Sequence, residues 1–321
     1  MLKYYNQLDL VLLQMHVDNY IKIKYHIFKM TYKIYDNSIN FSGNSKTLNR
    51  LSKLLNLEKT FYKSEKLIGI HAYKFGINVI NQNVEFILVI GGTDLNNDIH
   101  DQLKRNVILA ALRQAKYIVV FNSYLSKKII LNNIDPTKIR IISQSVEKPI
   151  SSDFNLRKKI KMNPKKIYLM IGNLRKEKDP LYLENTFNCL YDQGIVLVII
   201  GKMLEKYEFS KGIVHIDGLQ SEDVYSCMKQ ANGLVNTSIC EGMSSSILEA
   251  MSLRCPVYAR DNEGNRSIII DNYNGFLFTD DYDFLMCLTK DISFVVEYAY
   301  NYVNFFHNPK NELKEYNKLL I

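Results

Sequence analysis

The sequence predicts an α/β protein with two doubly wound domains, each built on a parallel β-sheet. Short apolar runs bounded by glycine alternate with segments of helical periodicity between residues 67 and 278, as in a parallel sheet. The chain has 321 residues, of which 47% are hydrophobic, so it has enough apolar material for two cores. The alternation stops at residues 146–166, where Pro149 and Pro164 lie among lysines, and we place the domain boundary there.

The first half contains four apolar runs that we predict to be strands. These runs lie at residues 67–71, 86–90, 117–121 and 138–143. A short helical pattern separates the first two, and longer helices are predicted at residues 101–115 and 123–131. Residues 1–62 show no regular period, so we assign no element to them.

The second half repeats the alternation with clearer boundaries. Strands are predicted at residues 167–171, 195–200, 213–216, 233–236, 256–259 and 275–278. Helices are predicted from Pro180, at residues 221–231, after Glu241, and at the end of the chain at 294–306 and 312–320. Ligands of doubly wound sheets bind at the carboxyl ends of the strands, so we expect the two domains to face each other across a cleft.

Composition argues against several classes of protein. The net charge of +8 comes from lysines spread over the whole chain, which indicates a solvated surface more than a nucleic-acid groove. No apolar run reaches the ~18 residues of a membrane span, and the best N-terminal candidate, residues 8–15, contains Asp9 and Gln14. Five cysteines without a C-x-x-C pair indicate neither a disulfide framework nor a zinc site. We therefore expect a soluble, cytoplasmic protein with no transmembrane segment.

The most informative window is residues 236–251, where a strand runs into a glycine turn, three serines and a helix. Ser244 suits the N-cap position of that helix. The backbone N–H groups of Gly242, Met243 and the following serines then have no helical partner, and the helix dipole adds positive potential. This arrangement predicts a binding site for a phosphate group.

Two carboxylates flank the predicted phosphate site. Glu241 precedes the helix and Glu249 lies in its second turn, and both suit the binding of ligand hydroxyls. A capped helix with a solvated Glu249 fits the same pattern, so the residues alone leave both interpretations open.

A second candidate is the loop after the strand at residues 167–171. Gly172 allows the backbone to turn, and Arg175 and Lys178 follow on a loop at the same sheet edge. These cations suit a diphosphate, although a basic loop is more often simply solvated.

The first domain offers His71 and Asp94 at two strand ends. Gly91 and Gly92 precede Asp94 and allow close approach of a ligand, so Asp94 is a candidate base or hydroxyl ligand. For His71 alone, the pattern favours a partly buried structural histidine at a strand end over a functional one. The chain lacks G-x-G-x-x-G, G-x-x-x-x-G-K-[ST], G-x-S-x-G and H-E-x-x-H, and its histidines are scattered, so no metal site is predicted.

The order of these motifs resembles that of retaining GT-B glycosyltransferases of family 4. The E-x7-E motif corresponds to residues 241–249, and four further segments fall in the family's order. They are residues 138–146, 168–178, 196–201 and 274–278. The resemblance covers residues 67–320 and implies two Rossmann-like domains that bind a nucleotide-sugar donor.

By position, the resemblance implies that Glu241 binds the donor sugar, Glu249 the ribose and Lys178 the diphosphate. Two departures stand out: Asn173 occupies a position where the family often has arginine, and Tyr73 replaces the second histidine of an H-x-H pattern. The family also opens with a strand and a glycine-rich turn, which we do not find in residues 1–60. We therefore expect an incomplete N-terminal domain.

We predict a metal-independent, retaining glycosyltransferase without a cofactor, acting on an unknown acceptor. The alternative is a catalytically inactive GT-B scaffold that binds a nucleotide-sugar or a protein. Expected domains are residues 1–150 on the acceptor side, 151–300 on the donor side, and a C-terminal helix at 301–321 that braces the first domain. The predicted catalytic residues are Glu241, Lys178, Arg175, His71 and Asp94. The predicted donor-binding residues are Gly172, Gly242, Met243, Ser244 and Glu249.

Overall fold

A computed structural model describes residues 32–36, 43–60 and 66–320 of the chain. It contains two six-stranded parallel β-sheets with helices between the strands, which confirms the predicted fold class. The first sheet consists of β1 (Tyr32–Tyr35), β2 (Lys59–Thr60), β3 (Lys66–Ile70), β4 (Glu85–Val89), β5 (Tyr117–Val120) and β6 (Ile139–Ile141). Its strand order is β2-β1-β3-β4-β5-β6.

The helices of the first sheet cover both of its faces. They are α1 (Gly43–Leu55), α2 (Ala72–Val79), α3 (Thr93–Asn96), α4 (Gln102–Gln114) and α5 (Ser123–Ile130). Successive residues of β3 enter different cores: Leu67 packs in one apolar cluster and Ile68 in the other. This two-sided burial explains why the strands are continuous apolar runs in the sequence.

The second sheet has the same size and is also fully parallel. Its strands are β7 (Lys166–Ile171), β8 (Ile195–Ile200), β9 (Ile213–Ile216), β10 (Gly233–Asn236), β11 (Val257–Arg260) and β12 (Phe276–Phe278), in the order β12-β11-β10-β7-β8-β9. Its helices are α6 (Leu156–Ile160), α7 (Glu184–Leu190), α8 (Ser221–Gln230), α9 (Ser245–Ser252), α10 (Glu263–Arg266) and α11 (Asp281–Cys287). The strand β10 and the helix α9 are central because they frame the predicted phosphate site.

Two terminal helices follow, α12 (Ser293–Phe306) and α13 (Pro309–Leu319). In α13, the carboxylate of Glu312 forms an ion pair with Arg50 of α1, and both side chains are largely buried. Glu312 also accepts a hydrogen bond of 2.9 Å from the backbone N–H of Ser145, after β6. The last helix is thus tied to the first sheet by charge as well as by the burial of Tyr316.

Some elements differ from the sequence prediction. The strand β1 and the helix α1 lie where no element was predicted, because β1 is only four residues long and includes Lys33. Its place is set by parallel pairing with β3, which a local pattern does not reveal. The helix predicted from Pro180 is also wrong in its start. A left-handed residue at Asp179 (φ 46°) and a turn come first, and the helix begins at Glu184.

Residues 8–15, which the sequence predicts not to span a membrane, lie outside the described residues. Among the residues that the structure does describe, no helix is long and apolar enough to cross a membrane.

Candidate active site

The helix α9 begins directly after Ser244, as predicted, but the serine hydroxyl does not cap it. Its Oγ instead lies 3.3 Å from Asn236 Nδ2 and 3.0 Å from Ser246 Oγ. The first backbone hydrogen bond of the helix joins Leu248 N–H to the Ser244 carbonyl at 3.3 Å. The N–H groups of the preceding turn therefore lack an intrahelical acceptor, which is the arrangement that binds anions.

A largely buried ion pair lies beside this helix terminus. Lys178 Nζ is 2.7 Å from Glu241 Oε1, and the two side chains are 16% and 14% exposed. The same oxygen accepts hydrogen bonds from Ser238 Oγ at 2.8 Å and Asn236 Nδ2 at 3.2 Å. Burial alone would raise the pKa of Glu241, but the charge of Lys178 and these hydrogen bonds outweigh it and lower that pKa. Glu241 is therefore a carboxylate held by three donors.

Glu249 lies in the second turn of α9 and is only 8% exposed. The alternative of a solvated Glu249 is thus wrong. Its Oε2 is buried and has no hydrogen-bond partner among the residues that the structure describes. Burial raises the pKa of Glu249, and the charge of Lys46 in α1 opposes that effect in part. A buried carboxylate oxygen without a partner is costly, which makes Glu249 a candidate ligand for a hydroxyl group.

The basic loop lies where the sequence predicts it. Gly172 has φ 138°, and a Cβ at this position would come within 3.2 Å of Lys178 Cε, so glycine leaves room for that side chain. The side chain of Arg175 is 40% exposed, and its Nε lies 3.5 Å from Glu177 Oε2. Arg175 is thus at the edge of the site, while Lys178 is inside it.

His71 is placed at the end of β3 but is already engaged on both ring nitrogens. Its Nδ1 accepts a hydrogen bond from Lys74 N–H at 3.4 Å, so Nε2 carries the proton of the neutral ring. Nε2 lies 3.2 Å from Thr93 Oγ1 and 3.3 Å from Asp98 Oδ2. Burial would raise the pKa of Asp98, but hydrogen bonds from His71 and Lys104 lower it to about 2. His71 therefore lies at the predicted strand end as a hydrogen-bond donor, and its place among the catalytic residues stays a prediction.

The roles predicted for Asp94, as a base or as a hydroxyl ligand, need correction. The residue is fully buried, and its carboxylate accepts hydrogen bonds from four backbone N–H groups. The donors are Ala72 at 3.0 Å, Gly91 at 3.2 Å, Gly92 at 2.8 Å and Leu95 at 3.1 Å. A carboxylate saturated by its own backbone has no capacity left for a substrate, so Asp94 shapes the glycine turn and is not a base.

We expect the substitution Asp94→Asn to lower the free energy of unfolding by about 2 kcal/mol, because an amide nitrogen would face backbone donors. Urea unfolding followed by circular dichroism measures the change. Asp101→Asn is a matched control, since Asp101 is an exposed N-cap of α4 and asparagine caps equally well. Equal stability of the two variants would contradict the structural role of Asp94.

Other polar residues near the site were not singled out from the sequence. Asp98 orients His71, and three amide side chains, those of Asn96, Asn122 and Gln144, reach across to the loop before α9. Asn96 lies beyond the carboxyl end of β4, and the other two lie beyond the ends of β5 and β6. All three amides therefore follow a predicted strand, and this position in the sequence could have identified them as candidates.

The two sheets approach each other backbone to backbone at this point. Gly92 has φ 106°, and a Cβ on it would come within 2.7 Å of Gly242 Cα. A Cβ on Gly242 would come within 2.9 Å of the Gly91 carbonyl oxygen. The glycine turn of the first sheet thus packs directly on the phosphate-site turn of the second.

In the described part of the chain, no three histidine, cysteine or carboxylate residues are grouped so as to hold a metal ion.

With this geometry in view, similarity to known proteins identifies the family. The chain is 32% identical over 279 residues to glycosyltransferase 1 domain-containing protein 1 of Xenopus tropicalis, an alignment covering 78% of this chain and 80% of that protein. The chain belongs to the group 1 glycosyltransferases. The family model "Glycosyl transferases group 1" matches residues 152–283, the part of this group 1 glycosyltransferase that contains β7 to β12 and α9.

Solved structures share the fold of this group 1 glycosyltransferase over most of its length. Anabaena Alr3699/HepE, crystallised in complex with UDP-glucose, has a TM-score of 0.75 at 12% identity, covering 90% of this chain and 98% of that one. Sucrose-phosphate synthase of Thermosynechococcus elongatus has a TM-score of 0.65 at 13% identity, covering 80% and 73%. These similarities confirm the GT-B architecture, whereas the family 4 assignment stays a prediction.

Proposed function

We propose that this group 1 glycosyltransferase transfers a sugar from a UDP-sugar to an acceptor, with retention at the anomeric carbon and without a metal ion. The observation that carries the proposal is the largely buried ion pair of Lys178 and Glu241 beside the N-terminus of α9, with Glu249 one turn further along. These groups are suited to bind the diphosphate, the ribose and the sugar of a nucleotide-sugar.

The diphosphate of the donor needs positive charge. An ammonium group has three N–H donors, so Lys178 can serve Glu241 and a phosphate oxygen at once. Arg175 at the rim and the free N–H groups at the start of α9 add to the positive potential. These groups supply the charge that a metal ion supplies in other transferases, which supports a metal-independent reaction.

The ribose and the sugar need acceptors for their hydroxyl groups. We assign the unpartnered Oε2 of Glu249 to the ribose hydroxyls, because binding a hydroxyl would satisfy a buried oxygen that is otherwise without a partner. Glu241 Oε1 accepts hydrogen bonds from three donors. The other oxygen of this carboxylate, Oε2, takes part in none of these three hydrogen bonds. We assign Glu241 Oε2 to the hydroxyls of the transferred sugar.

In the proposed transfer, the bond between the anomeric carbon and the β-phosphate oxygen breaks, and its electron pair stays on UDP. The acceptor hydroxyl oxygen forms the new bond on the same face, and its proton passes to the released phosphate oxygen. Negative charge grows on the leaving diphosphate, so Lys178 and the helix terminus stabilise the transition state more than the ground state.

A calorimetric screen of the full chain against UDP-, GDP- and ADP-sugars, with and without EDTA, tests the proposal. We expect one UDP-sugar to bind, with no effect of EDTA, and to be slowly hydrolysed when no acceptor is present. Proton NMR of the sugar first released from an α-linked donor should show the α anomer. Release of the β anomer would overturn retention, and failure of the folded chain to bind any donor would overturn the whole proposal. Binding without hydrolysis or transfer would support the inactive-scaffold alternative.

A further inference from the structure

Three amide side chains of the first sheet hold three consecutive carbonyls of the second. The carbonyls belong to residues 241, 242 and 243, the turn that leads into α9. The hydrogen bonds are Asn96 Nδ2 to Glu241 O at 3.2 Å, Asn122 Nδ2 to Gly242 O at 2.6 Å, and Gln144 Nε2 to Met243 O at 3.1 Å. Each amide thus contacts its own peptide group of the turn.

Internal contacts of the first sheet fix the direction of two of these amides. Asn96 Oδ1 accepts a hydrogen bond of 2.7 Å from Lys128 Nζ, and Asn122 Oδ1 accepts one of 3.0 Å from Leu125 N–H. Their oxygens are therefore turned inward, and their nitrogens must face the second sheet. Asn122 Nδ2 makes a second contact across the cleft, to Ser267 Oγ at 3.0 Å. These side chains are oriented before the other sheet meets them.

The close backbone approach of the two glycine turns makes the contacts possible. A side chain on Gly92 or Gly242 would separate the two sheets, since its Cβ would come within 2.9 Å of backbone atoms across the cleft. Short amide side chains can reach main-chain carbonyls only because neither turn carries a Cβ at this point. The glycine pair and the three amides therefore form one interface.

A hydrogen bond that fixes a backbone carbonyl also fixes the N–H of the next residue, because both belong to one planar peptide group. In a trans peptide, the C=O of one residue and the N–H of the next point in opposite directions, and the described residues contain no cis peptide bond. Fixing the carbonyls of residues 241–243 therefore fixes the N–H groups of residues 242–244. These N–H groups belong to the predicted phosphate site.

We propose that Asn96, Asn122 and Gln144 are positioning residues that set the backbone of the donor-phosphate turn from the opposite domain. Donor affinity then depends on the closed contact between the two sheets, because the turn is held only when the amides reach it. The link between this turn and donor binding rests on the proposed function. The holding of the turn itself is a property of the donor-free protein and is testable without a substrate.

Two variants remove single amides at small cost to the fold. Asn122→Ser keeps an N-cap hydroxyl for α5 but is too short to reach the Gly242 carbonyl. Gln144→Met keeps the length of the side chain and removes the donor. Asn78→Ser is the matched control, because among the described residues this amide donates only to Lys74 O, within its own helix. The two measurements are calorimetry with UDP and hydrogen–deuterium exchange of residues 248–251 in the donor-free protein, since these are the first N–H groups of α9 with a helical acceptor.

We expect each variant to speed exchange of residues 248–251 by about fivefold to tenfold and to weaken UDP binding by a similar factor, as for the loss of one neutral hydrogen bond. The control should match the wild type in both. Wild-type exchange in both folded variants would overturn the positioning role, whether or not UDP binds. Faster exchange in variants of a protein that binds no nucleotide would uphold the holding of the turn and overturn the proposed function instead.

Discussion

Replacement of Lys178 by alanine should lower kcat by about a thousandfold, the largest effect that we expect from any single substitution. Lys178 is the cation closest to the assigned diphosphate, and removing one preorganised charge at a developing anion costs ~10² to 10³ in rate. Substrate binding should weaken far less, because the charge on the diphosphate grows mainly in the transition state. Steady-state kinetics with the donor found in the calorimetric screen separates kcat from KM.

The substitution also affects Glu241, which loses its ion-pair partner. With its pKa lowered in the fold, Glu241 contributes stability above its ordinary pKa, and this contribution is lost as pH falls through the lowered value. Without Lys178 that stabilisation disappears at neutral pH, so the thermal melt of Lys178→Ala must be recorded beside its kinetics. Lys176→Ala is the matched control, because Lys176 is exposed on the same loop. If a folded Lys178→Ala enzyme kept its kcat within threefold, Lys178 would not be the diphosphate ligand.

Replacement of Glu249 by glutamine should weaken binding of UDP by about a hundredfold. The wild-type carboxylate can accept hydrogen bonds from both ribose hydroxyls, and hydrogen bonds to a charged group are worth ~1.5 to 3 kcal/mol each. An amide offers one acceptor and turns a donor toward the ligand. Calorimetry with UDP alone isolates this contribution from the sugar contacts. Glu222→Gln, an exposed glutamate in α8, is the control and should bind UDP as the wild type does.

The same substitution should stabilise the donor-free protein, and only at higher pH. Because burial raises the pKa of Glu249, the folded chain holds this proton more tightly than the unfolded chain does. The wild type therefore loses unfolding free energy as pH rises from the unfolded pKa to the folded one, whereas glutamine does not titrate. In urea unfolding between pH 4.5 and pH 8, the free energy of unfolding of the variant should rise relative to that of the wild type as pH increases. A difference independent of pH would mean that Glu249 is not strained by burial.

Much of the fold was predictable because most of the inner strands are buried on both faces. Such strands appear as uninterrupted apolar runs, and β3 to β12 all lie within or next to predicted segments. The strand β1 was missed since Tyr32 and Ile34 are buried while Lys33 interrupts the run. Only its pairing with β3 makes these four residues a strand.

The candidate site was predictable in its residue types and less so in its roles. Glu241, Glu249 and Lys178 lie together because the carboxyl ends of parallel strands meet at one edge of the sheet. Asp94 shares that position but is saturated by backbone N–H groups, and His71 is engaged by Thr93 and Asp98. A strand-end motif does not indicate whether a polar group is already satisfied within the fold.

The sequence by itself determined the alternation of strands and helices, the cleft at the strand ends and the E-x7-E helix, because these depend on local periodicity and on glycine and serine at fixed positions. Only the tertiary structure decided that Glu249 is buried near Lys46 of the other domain, and that three amides reach the turn before α9. The three amide contacts join residues 99 to 145 positions apart in the chain. Their strength depends on burial and orientation, which arise only when the two sheets meet.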